Sequence, residues 1–232
     1  MNTTKVRTNP RFSVNALATY MTATPTQRAQ LIADQKRPGF GGPYYREANK
    51  VISTHLAAGM PDDRALQAAY LRLSRAHKDE KEKETKRRAD NAIAIQRFQE
   101  MRSEIDLLGL TPRHSSTKME KLTLSGVSIS VWPEILLSGE VKRRGFVCGG
   151  IKLAISRNAT EAFERGSGDY PACLVQRLLQ GHAAEGTSVY GKACMTIDVF
   201  GQCVRPAPAS YKTRMKNLLA ACDEIRLGWG RC

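Results

Sequence analysis

Three short stretches of this 232-residue chain set acids and cations close enough to act on one ligand: Pro133-Glu134, Glu140-Val141-Lys142 running into Arg143-Arg144, and Gly150-Ile151-Lys152. A fourth, Lys86-Arg87-Arg88, is cationic only. Dense clusters such as Lys86-Arg87-Arg88 and Lys142-Arg143-Arg144 suit phosphate oxygens, which they position without reading a base, and each also reads as solvated surface charge. Glu140 follows Glu134 by only six residues and has Gly139 beside it, so its triplet reads as a hairpin tip. Lys152 stands in a strand-like run between the small residues Gly150 and Ala154; it can face a ligand or snorkel from a half-buried position. Asp198 alternates with apolar residues late in the chain and reads as an outward-facing side chain. Tyr44-Tyr45-Arg46 is the best local place for an unpaired base to stack, against a plainer reading as two core tyrosines at a helix start.

Other catalytic patterns are missing from the sequence: there is no G-x-S-x-G elbow, Walker loop, dinucleotide fingerprint or H-E-x-x-H. Six cysteines (Cys148, Cys173, Cys194, Cys203, Cys222, Cys232) and four histidines (His55, His77, His114, His182) are widely scattered. No zinc site is expected from such spacing, and the cysteines read as buried free thiols.

The elements that must position these residues change character halfway along. Ser13 caps a short helix to about Met21. Thr24-Pro25-Thr26-Gln27 supplies a cap, a first-turn proline and a capping-box glutamine for a second helix, stopped by Pro38 and the Gly39-Phe40-Gly41-Gly42 loop. A third follows Pro43 and ends at Gly59, and the three read as one bundle over 1–60. From Asp63 to Leu108 a single heptad register links Leu66, Tyr70 and Leu73 to Ala94, Phe98 and Met101, with His77, Glu80, Glu84, Arg87 and Asn91 as polar seam positions. One helix, or two collinear pieces, about 65 Å long is expected over 61–110, its charged middle held off the globule and supported by Asp79/Lys83, Glu82/Lys86 and Glu84/Arg88. After a linker at Pro112 to Thr117, strands alternate at Val127–Val131, Phe146–Ile155 and Met195–Val199. A loop over Arg157–Gly168, a helix over Asp169–Gly181 and a last helix from Ser210 complete an α/β unit over 118–232. The expected class is α+β: a helical N-terminal half, then a mixed β-sheet flanked by helices.

Composition names the kind of partner. Lys and Arg number 36 against 22 Asp and Glu, a formal charge of +14. Counting from Thr111 onward gives 17 basic and 10 acidic residues, with 19 and 12 before it, so each half carries +7. An excess spread through the body attracts phosphate backbones by counterion release. No apolar run approaches the roughly 20 residues of a membrane span, and the N-terminus lacks a secretory pattern, so no membrane partner and a cytoplasmic location are expected.

The order helix, strands, helix, strand, with acid and lysine in the early strands, resembles the PD-(D/E)XK restriction-endonuclease-like superfamily over about Asp90 to Arg205. Its core is a helix, three strands, a helix and a further strand. The resemblance implies a nuclease site in which a proline-acid pair, an acid-any-lysine triplet and a helix glutamate hold Mg²⁺ near the scissile phosphate, hard carboxylates suiting a hard cation. Pro133-Glu134 matches the proline-acid pair. Either Glu140-Val141-Lys142 or Gly150-Ile151-Lys152 matches the triplet, the second with glycine in place of the acid, and Glu100 or Glu104 matches the helix glutamate. Three readings follow. The first is a nucleic-acid-binding protein of bacterial mobile-element or defence type with a degenerate nuclease-like domain, its phosphate contacts being Lys86, Arg87, Arg88, Lys142, Arg143, Arg144 and Lys152. The second is an active Mg²⁺-dependent nuclease whose catalytic set is drawn from Glu134, Glu140, Lys142 and Lys152 and whose metal ligands are Glu134, Glu140 and Glu104. The third is an adaptor that meets a protein partner through the 62–108 helix.

Overall fold

The computed structural model describes residues 6–37, 44–75, 81–115, 119 and 121–230. The Gly39 to Gly42 loop, the seam positions His77 and Glu80, the Asp79/Lys83 pair, the end of the expected linker at Ser116-Thr117 and Cys232 lie outside them.

The chain forms a mixed α+β fold around a five-stranded sheet. Its strands are β2 (Thr111–His114), β5 (Ile135–Val141), β6 (Gly145–Ala154), β7 (Ser188–Asp198) and β8 (Cys203–Pro206), in that spatial order. β2, β5 and β6 are antiparallel neighbours, β7 runs parallel to β6, and β8 returns antiparallel. The crossover from β6 to β7 carries α6 (Arg157–Ala162), a π-helical turn (Phe163–Ser167) and α7 (Tyr170–Gln180). A smaller sheet joins β1 (Arg11–Ser13), β4 (Val127–Ser130) and β3 (Leu122–Leu124). The strand expected at Val127–Val131 exists but belongs to this small sheet, where it pairs with the N-terminal β1. Thr111–His114, expected in the linker, is the edge strand β2, and Arg157–Gly168, expected as a loop, is largely helical.

Period-two alternation divides the large sheet between two cores. Val147, Ile151 and Leu153 of β6 face a cluster with Ile52 and Leu56 of α3 (Arg46–Ala57), Leu66 and Leu73 of α4 (Arg64–Ser74), and Ile95, Phe98 and Met101 of α5 (Glu82–Met101). The second cluster gathers Leu17 and Tyr20 of α1 (Val14–Thr22), Ile32 of α2 (Pro25–Lys36), Leu174 and Leu178 of α7, and Leu218 and Ile225 of α8 (Tyr211–Trp229). The three N-terminal helices therefore do not make one bundle: α1 and α2 join α7 and α8, while α3 joins α4 and α5. The Thr24 capping box of α2 forms as its letters indicate, with Thr24 and Gln27 satisfying each other's backbone N–H.

The expected long rod is folded back on itself. Asp63 at the start of α4 pairs with Arg102 at the end of α5, and the Arg88 guanidinium near the start of α5 donates to the Leu73 carbonyl at the end of α4. The two helices thus lie antiparallel, neither collinear nor one. A shared heptad register made the two apolar stretches look continuous, although the same stripes bury more area against each other. Residues 81–87 remain exposed at the free end of α5.

Candidate functional site

A hairpin links β5 and β6 with Ile135 opposite Ile151, and the Glu134 N–H continues the ladder by donating to the Ile151 carbonyl at 2.8 Å. One step further along that register, Glu134 stands opposite Lys152. Lys152 Nζ donates to Glu134 Oε1 at 2.5 Å, the Leu153 N–H donates to Oε2 at 2.7 Å, and Asn49 Nδ2 of α3 donates to Oε1 at 3.3 Å. Each side chain of the ion pair is only 12% exposed. Among the described residues this is the most enclosed ion pair, and a charge-assisted pair in such a setting is strong chiefly because losing one member strands the other.

The pair forms the floor of an open cleft of about 710 Å³ between α3, the start of α1 and the end of β6. Arg46 and Lys50, one turn apart on the exposed side of α3, form one wall together with Tyr44 and Tyr45; Asn15 and Ser156 stand on the other. Neither Arg46 nor Lys50 is held in an ion pair among the described residues. Among the described residues the lining therefore carries three cations, Arg46, Lys50 and Lys152, against one carboxylate. The Asn15 Oδ1 atom is buried without a hydrogen-bond partner.

The remaining expected site residues lie elsewhere. Val141 pairs with Gly145, leaving Lys142, Arg143 and Arg144 as an exposed three-residue tip, with Arg143 at φ +67° and Gly145 at φ +72°. Glu140 is exposed opposite Phe146, about 20 Å along the strand from Glu134 by the usual rise per residue. The structure thus does not bring Glu140 and Lys142 to Glu134. Glu104 is also remote: with Glu100, Gln202 and Cys203 it lines a separate cleft of about 360 Å³, where Glu100 accepts from Gln202 Nε2 at 2.8 Å. Lys86 and Arg87 are exposed on α5.

Asp198 faces inward rather than outward, at 1% exposure. It accepts from Thr160 Oγ1 at 2.6 Å and from the Gly201 N–H at 3.1 Å, closing the β7–β8 turn. Burial pushes its carboxyl up from the ordinary value, against those hydrogen bonds. The five described cysteines are free; Cys173, Cys194 and Cys222 are buried, with thiols pushed up to about 12 by burial, whereas Cys148 and Cys203 are only partly covered.

The resemblance implies a divalent metal beside Glu134, and the residues present do not fit one. Both Glu134 oxygens are taken by donors, the neighbouring group is an ammonium, and Gly150 holds the position of the second acid. A Cβ on Gly150 would meet Val175 Cγ1 at 3.2 Å and the Ile135 carbonyl and Pro133 Cβ at 3.3 Å, so the backbone packing leaves little room for an acid there. Among the described residues no group of three or more His, Cys, Asp or Glu is placed to hold a metal ion. Arg46 was named from the sequence with Tyr44 and Tyr45 as a stacking place, whereas Asn49 and Lys50 were not singled out. Their signal is helical phase: Arg46 and Lys50 lie on the exposed side of α3, away from buried Ala48 and Ile52, and half-buried Asn49 sits at its margin, a pattern shared by any solvated helix. No family model, curated protein or solved structure matches this chain.

Proposed function

We propose that this chain binds nucleic acid through its phosphate backbone and that its nuclease-like domain holds phosphate without metal-dependent cleavage. One observation carries the reading: among the described residues, three cations converge on a cleft lined by a single carboxylate, which Lys152 already neutralises. An anion entering there meets net positive charge in a partly dehydrated setting, where such contacts are stronger than on open surface. Supporting it, the large sheet alone follows α5 with β2, β5 and β6, then the helical crossover ending in α7 and the parallel β7, the order that the restriction-endonuclease-like resemblance implies, with β3 and β4 of the small sheet inserted between β2 and β5. Glu134 and Lys152 fall at the proline-acid and lysine positions of that pattern, and Gly150 leaves the intervening acid unfilled.

Fluorescence anisotropy with labelled oligonucleotides tests binding. The expected result is affinity with little sequence preference, falling by orders of magnitude as salt rises from low to physiological, with a log–log slope of about −0.7 to −0.9 per phosphate contacted. Incubation of the same substrates with Mg²⁺ or Mn²⁺ is expected to leave them intact. Binding that ignores ionic strength, or robust cleavage lost in Glu134→Ala, overturns the reading.

A further inference from the structure

The cleft carries more than charge. Tyr44 is 40% exposed, its phenol donates to Asp90 at 2.7 Å, and its ring meets Tyr45 edge-on with centroids 5.0 Å apart. Tyr45 in turn packs against Phe200 at 5.3 Å, and the Arg157 guanidinium lies over the Phe200 ring at 4.9 Å. Tyr44 is thereby held at both ends, by the Asp90 carboxylate and by Tyr45, with part of its surface free at the mouth beside Arg46 and Lys50. A fixed aromatic ring adjoining unpaired cations is the combination that holds an unpaired nucleotide, because every base has a π-face and every nucleotide a phosphate.

We propose that the cleft accepts a single strand of nucleic acid, with a phosphate among Arg46, Lys50 and Lys152 and a base laid against Tyr44. The inference rests on the nucleic-acid reading above and narrows it. In a duplex each base is stacked between its neighbours and cannot reach a ring on the protein, whereas an unpaired base can be splayed onto one. Size agrees: about 710 Å³ is the scale of a small-molecule site, enough for a nucleotide or two but not for the body of a duplex. Asn15, with an unpartnered buried amide oxygen on the opposite wall, and Ser156 supply polar groups that hydrogen-bond a base edge or sugar.

The test is an anisotropy titration of the full chain with a labelled oligothymidylate of about 15 nucleotides, within the usual range of single-strand site sizes, and with a blunt duplex of equal length. The strand is expected to bind at least tenfold more tightly than the duplex. Tyr44→Ala should remove about tenfold of the strand affinity and leave duplex affinity unchanged, Tyr44→Phe should retain strand binding, and Lys50→Glu should weaken it at every salt concentration; about tenfold is the scale of one base–aromatic stack. Circular dichroism of the same variants reports whether the fold is kept. Equal binding of strand and duplex with Tyr44→Ala silent overturns the single-strand inference while leaving phosphate binding intact. Failure of both probes to bind overturns the nucleic-acid reading itself.

Discussion

The β5–β6 hairpin carries two acid–lysine combinations, Glu134 with Lys152 at its base and Glu140 with Lys142 at its tip. In letters the tip is the better match to an acid-any-lysine motif, since Gly150 interrupts the one at the base. In space the order reverses. Glu134 and Lys152 lie on opposed strands at 2.5 Å and are nearly covered, whereas Glu140 and Lys142 stand at an exposed turn held by residues with positive φ. Glu140 and Lys142 are close in sequence, but Lys142 has left β5 for the exposed turn, while charges 18 residues apart meet when the antiparallel register makes them opposite. Register and burial, rather than spacing along the chain, select the pair able to hold a ligand.

The largest expected effect breaks that pair. Lys152→Met should leave Glu134 nearly covered and without its cation, destabilising the fold by about 3 kcal/mol in urea unfolding, the lower end for buried pairs that lose one partner. Glu140→Ala and Lys142→Ala should each stay within about 0.5 kcal/mol of the parent, as exposed side chains do. Equal losses at both ends of the hairpin would abolish the distinction. The glycines offer a second contrast. Gly150→Ala should cost about 1–3 kcal/mol by overpacking against Val175, Pro133 and the Ile135 carbonyl. Gly145→Ala, which meets nothing within 4 Å, should cost about 1 kcal/mol through its φ of +72° alone. A neutral Gly150→Ala would show that an acid could have been accommodated there.

How far the sequence leads follows from the same physics. Helices with caps and strong periodicity were legible: Ser13 does accept the Ala16 N–H at the start of α1, and α7 and α8 begin within a residue of their expected starts. Strand β6 and the end of β7 from Met195 were legible from alternation, whereas the start of β7 at Ser188 was not. The edge strands β2 and β8 were not, because Thr111-Pro112-Arg113-His114 and Cys203-Val204-Arg205-Pro206 lack alternation and are strands only by virtue of a neighbour. The folding of α4 onto α5 was hidden because a heptad register specifies a face and not its partner. Of the site, Glu134 and Lys152 were visible as candidates, as were Tyr44, Tyr45 and Arg46, but the contact of the first two depended on register across the sheet, and the places of Asn49 and Lys50 depended on where α3 docks. Asp198 was misjudged because alternation assigns a face without saying whether that face is covered, and here α6 covers it through Thr160.

The helix that brings Arg46 and Lys50 to the cleft is anchored by a titratable group, in contrast to the hairpin tip. His55 of α3 is 4% exposed, packs edge-on against Phe98, and has no hydrogen-bond partner on either ring nitrogen. Burial lowers its pKa; Asp63 and Asp62 oppose the shift and Arg102 adds to it. The unfolded chain then takes up a proton as pH falls below 6.5 while the folded chain resists. Stability from this residue is accordingly full above 6.5 and lost as pH falls toward the lower folded value. His55→Phe should flatten that decline, by an amount on the order of 1 kcal/mol, without weakening the fold at neutral pH. Urea midpoints of both proteins across the acid range measure it; parallel curves would remove His55 as the cause.

The smallest effect concerns how the tip and the cleft divide phosphate binding. Lys142, Arg143 and Arg144 are exposed, and Arg144 already lies over the Tyr190 ring at 4.8 Å, so they attract a backbone mainly through the long-range field. Screening cuts such a field off beyond about 8 Å at physiological ionic strength. Replacing all three by alanine should therefore lower affinity several-fold at low salt, flatten the salt slope by at most about 0.9 per lost contact, and change little at physiological salt. Arg46→Ala with Lys50→Ala should instead weaken binding at both salt concentrations, because these side chains contact the bound phosphate directly rather than through the screened long-range field. Salt titrations of the two variants beside the parent separate these behaviours. If the tip variant loses more affinity than the cleft variant at physiological salt, the exposed end of the hairpin is the principal phosphate contact and the covered end serves the fold alone.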